Sequence, residues 1–103
     1  MKIIKTIAEK IDDELHDANA YIDLAMAWRD EEPDSAEMFY QLSIEEMGHV
    51  DKLHSDVTSL IDEYKREHGA PPAEMLTLYN YLHEKHMAEA MRIKVKQGMF
   101  KAE

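Results

Sequence analysis

Three residues of this chain have the types and spacing to hold a metal ion. Glu46 and His49 stand in "SIEEMGHVDKLH", residues 43–54, within a stretch that reads as one long helix. A glutamate at i and a histidine at i+3 share one helix face, so both side chains reach a single point beside it. Glu14 belongs to an earlier helical stretch. There Ile4, Ile7, Ile11, Ala18, Tyr21, Ala25 and Trp28 recur at steps of three and four, and Glu14 fills the gap in that seam. Leu15 and Ile22 broaden the stripe. In the second stretch Phe39, Leu42, Leu53, Val57, Leu60 and Tyr64 form a like seam, and Glu46 and His49 fill its gap. Ionisable groups on a buried face need compensation. One reading is a buried Glu–His pair that fixes helix register. The other is a divalent metal, and carboxylate oxygen with one imidazole suits iron, manganese or zinc better than magnesium.

The elements that must position these residues are marked by two breaks. "DEEPDS" at 30–35 holds Pro33 with Asp34 and Ser35 as N-cap candidates, and Asp34 with Glu37 loosely fits a capping box. "REHGAPP" at 66–72 places Gly69 for a left-handed C-cap, and Pro71 and Pro72 block continuation. Gly98 is a weaker stop. The chain thus reads as helices over about 2–31, 34–68 and 72–98. The first link is so short that its two helices must pack as an antiparallel hairpin. Glu14 lies about 18 residues before that turn, and Glu46 and His49 lie about 13 to 16 after it. At about 1.5 Å per residue the three are expected at nearly the same level. Gly48, between the two ligand candidates, costs roughly 1 kcal/mol in a helix interior relative to Ala. It is either a neutral surface residue or a place where another helix comes close.

Helix 2 carries a second apolar stripe, Tyr40, Ile44, Met47, Val50, Val57 and Ile61, so two of its sides need cover. The third helix can cover one, and a second copy of the chain can cover the other, as in a homodimer of hairpins. For the third helix two seams compete: Met75, Leu78, Leu82, His86, Glu89 and Ile93, or Tyr79, His83, His86, Ala90 and Ile93. The first points His86 and Glu89 inward as second-tier ligands or an ion entrance, though an exposed or paired role is the plainer expectation. His16, His54 and His68 are expected on the surface. Asp17 and Glu45 fall off the seams, and Tyr21 and Trp28 are expected in the core.

"EEMGH" at 45–49 and "DELHDANAYIDLAM" at 13–26 resemble the second and first helices of the ferritin-like superfamily of carboxylate-bridged di-iron proteins. The pattern is similar to the encapsulated ferritins and rubrerythrin-type half-bundles. By that resemblance Glu14 would be a terminal ligand, Glu46 a bridging carboxylate and His49 the nitrogen ligand. The superfamily's usual four helices carry two half-sites, whereas this chain has three helices and one. Two copies would supply the missing half across a dimer interface. The resemblance implies ferroxidase activity, in which dioxygen or peroxide oxidises two Fe(II) ions. The expected fold is therefore one all-α domain over 1–103, with ferritin-like four-helix packing completed by dimerisation.

Composition narrows the classes of partner. The 103 residues suit one domain, and a net charge of −10 repels nucleic acid and anionic lipid. The absence of cysteine excludes disulfides and thiolate metal sites and is compatible with the cytoplasm or the inside of a protein compartment. The start, "MKIIKTIAEKI", reads as a helix rather than a signal peptide, and no run approaches the ~20 apolar residues of a membrane span. The eight Met residues are core filler or interface. The expected partners are metal ions and further copies of the chain. The competing expectation is a non-enzymatic helical structural or interaction module with a buried Glu–His pair.

Overall fold

The computed structural model describes residues 2–102. They form three helices and no strand: α1 (Lys2–Trp28), α2 (Pro33–His68) and α3 (Ala73–Ala102). α1 and α2 make the antiparallel hairpin that the short link requires. α3 returns along it, parallel to α1, and packs mainly on α1 and only lightly on α2. The result is a rod 56 Å long and 18 by 17 Å across.

The turn differs in detail from the expected one. α1 ends at Trp28, three residues early, and the Glu32 N–H donates to the Trp28 carbonyl at 2.9 Å. Glu32 is the N-cap of α2 and makes no side-chain capping bond. Pro33 occupies the first turn, where a missing N–H costs nothing. Asp34 therefore lies inside the helix, where its charge faces the positive helix end, and no Asp34–Glu37 capping box forms. At the other end Lys65, Arg66 and His68 complement the dipole of α2. Gly69 follows with φ 80° and ψ −162°, a region open almost only to glycine. Its φ is positive as expected, though its ψ is not that of the left-handed helix. Gly98 stops nothing, and α3 runs through it to Ala102.

The core of the hairpin is Ile7, Ile11, Leu15, Ala18, Met47, Val50 and Val57, and Ala90 and Ile93 close it from α3. Near the turn, Ile22, Ala25, Ala36 and Phe100 form a second cluster. Leu15 and Ile22 are thus central rather than flanking. Trp28, expected in the core, is 43% exposed, because it ends α1 where no helix covers it. α3 follows the second of its two possible seams: His86, Ala90 and Ile93 are buried, whereas Leu78 is exposed. A buried polar link joins all three helices. Ser43 Oγ donates to the Ala18 carbonyl at 2.8 Å and accepts from Gln97 Nε2 at 2.9 Å. The outer side of α3 also carries apolar residues, with Tyr81, Met87, Met91, Val95 and Met99 exposed.

Candidate metal centre

Glu14, Glu46 and His49 come together midway along the hairpin. Each offers one ligand atom, and these atoms all lie within 4.8 Å of one another. His49 Nδ1 is 3.4 Å from Glu14 Oε2 and 3.7 Å from Glu46 Oε2. The matching of levels around the turn thus holds, because antiparallel helices of equal rise keep equal distances from their link.

The surroundings are asymmetric. The Glu14 and Glu46 side chains are 17% and 18% exposed, whereas that of His49 is 56% exposed. In the single chain His49 is therefore not on a buried face. The sequence places it on an apolar seam whose Val57 is buried and whose Leu42, Leu53 and Leu60 are half-buried, but His49 itself is open to solvent. Among the described residues no hydrogen bond or ion pair ties any of the three to α3. Glu46 Oε2 is buried and has no hydrogen-bond partner. A carboxylate oxygen in that state is costly unless a cation meets it. Gly48 has open space where a Cβ would stand. Two carboxylates and an imidazole converging on one point form a donor set that fits an iron-class divalent ion.

The other singled-out residues lie elsewhere. His86 is 8% exposed, and its Nε2 is 2.7 Å from Asp12 Oδ1. Glu89 pairs with Arg92, one turn along α3. Neither joins the Glu14, Glu46 and His49 group, so the second-tier ligands have partners of their own. His16 and His68 are exposed as expected. His54 is not: it is half-buried, its Nε2 is 3.0 Å from His83 Nδ1, and the two rings stack. Asp12 and His54 are the interacting residues that the sequence reading missed. A faint signal existed for each, since His54 lies on the second stripe of α2 and Asp12 beside Ile11 of the core.

No family model, curated protein or solved structure matches the chain. The reading of the site rests on its residues. No described helix is long and apolar enough to cross a membrane.

Proposed function

We propose that this chain is a metal-binding protein whose Glu14, Glu46 and His49 form half of a di-iron centre, completed by the same residues of a second copy. The observation that carries the reading is the convergence of two carboxylates and an imidazole on one point, with one Glu46 oxygen buried and without a hydrogen bond. Two copies about a two-fold axis give four carboxylates and two imidazoles, a ligand set known from helical bundles that hold two irons. Glu46 would bridge, Glu14 would bind at the edge, and neutral His49 would supply nitrogen. Surface area favours a partner. A compact monomer of 12.0 kDa exposes roughly 6,000 Å², and this chain exposes 6946 Å². The excess is close to the ~800 Å² that one partner buries in an ordinary interface.

The chemistry is ferroxidation, with Fe(II) as substrate. Each ion gives one electron to dioxygen or peroxide, and the carboxylates balance the added positive charge. Anaerobic loading with Fe(II) followed by air is expected to give a fast ferric absorbance. In Glu46→Ala, His49→Ala protein the rate is expected to fall by more than about tenfold. Equal rates in the two proteins would sink the proposal.

One observation favours a second reading. His49 Nδ1 lies 3.4 Å from Glu14 Oε2, a distance at which a plain structural pair also stands. That reading makes the chain a helical interaction module and predicts the same melting temperature with and without chelator. Metal bound only by the folded state raises it.

A further inference from the structure

On the side of the hairpin that α3 covers, a second set of donors gathers, built from nitrogen. His54 Nε2 and His83 Nδ1 face each other at 3.0 Å. His86, one turn further along α3, is held by Asp12 at 2.7 Å. All three imidazoles line an apolar cleft of about 470 Å³, walled by Ile11, Val57, Ile61, Tyr79 and Leu82. His54 lies about 7.5 Å along α2 from His49 and about 140° round it, so this group and the carboxylate group occupy different sides of the hairpin.

Packing alone does not require two imidazoles here, in a wall otherwise apolar. A neutral pair sharing one N–H···N bond satisfies one nitrogen of each ring. An ion in place of the shared proton satisfies the same two atoms. At zinc–nitrogen distances of about 2.0–2.1 Å in tetrahedral geometry the two nitrogens stand roughly 3.3 Å apart. The pair needs to open by only a few tenths of an ångström, and α3 is held more lightly on α2 than on α1. Burial and the neighbouring His83 lower the His54 pKa, so protons compete weakly for its lone pair. The cleft leaves room for water to complete the coordination.

We propose that His54 and His83 bind a divalent first-row ion that prefers imidazole, of the zinc or copper class, at a site separate from Glu14, Glu46 and His49. It shares no ligand with the carboxylate centre and does not depend on that reading.

The test uses Zn(II) and Cu(II) as probes on the full chain. In Glu14→Ala, Glu46→Ala, His49→Ala protein, calorimetry is expected to show one zinc per chain. Cu(II) bound there is expected to show electron-spin couplings to two imidazole nitrogens. Adding His54→Ala and His83→Ala is expected to weaken zinc binding by at least about tenfold. His54→Gln with His83→Gln, which keeps polar side chains at the contact, is expected to do the same while helicity is retained. Absence of zinc uptake by the folded triple variant overturns the proposal, as does uptake unchanged by the histidine substitutions. Should the triple variant not fold, the glutamine pair is placed in the unaltered chain. Loss of one zinc with helicity retained then supports the site, and an unchanged zinc count overturns it.

Discussion

Glu46 shows how one residue can be legible in sequence and yet change meaning in three dimensions. Its place on an apolar seam announces a buried carboxylate, and one of its oxygens is indeed buried without a hydrogen bond. His49, on the same seam, is 56% exposed, although Val57 further along it is buried. A single sequence gives the face of a helix, not what covers it. His54 is the converse case. Only its place on the second stripe of α2 separates it from a surface histidine, since its partner His83 comes from another helix. Burial, His83 and His86 lower its pKa, and Asp51 opposes them. The unfolded chain, with the ordinary value of 6.5, binds that proton more tightly than the folded one. This part of the stability is present above that value and lost as pH falls through the lowered folded value. In chelator the melting temperature is expected to fall as pH drops below about 6.5, and to fall less steeply in His54→Gln. Identical slopes for the two proteins would contradict this.

At the scale of elements, three helices and their order are legible because proline and glycine punctuate them and the seams keep helical period. The ends are less so. Pro33 reads as a break, yet it serves as the first helical residue, and Gly98 lies inside α3. A weak helix former in a packed stretch is carried by its neighbours. α3 resisted reading because apolar residues occur on both its inner and outer sides. It is also unevenly held. Its later half buries Ala90, Ile93, Gln97 and Phe100, whereas few residues before His86 are well covered. Hydrogen exchange is expected to follow this gradient, with amides of 75–84 exchanging at least about tenfold faster than those of 88–97. Uniform protection along α3 would show that the light contact with α2 is firmer than its packing suggests.

The whole molecule is a rod that exposes more surface than its mass requires, and its carboxylate site lies along one side. Gly48 stands beside that site with free space around it. Leucine there adds bulk at the proposed contact, and in the isolated chain its Cβ meets nothing within 4 Å. Light scattering is expected to show Gly48→Leu protein dissociating at concentrations where the unaltered chain is dimeric, with helicity unchanged. An unchanged mass would place the interface elsewhere. The link from Gln97 through Ser43 to the Ala18 carbonyl has a consequence of a different kind. A helix apolar on two sides has nearly equivalent ways to lie on a hairpin, differing by rotation about its own axis. Hydrophobic burial barely separates them. One buried amide does, because only one rotation gives it a partner and every other strands it in an apolar wall. Much of what makes the native arrangement unique, as distinct from stable, therefore resides in a residue that contributes little to the core.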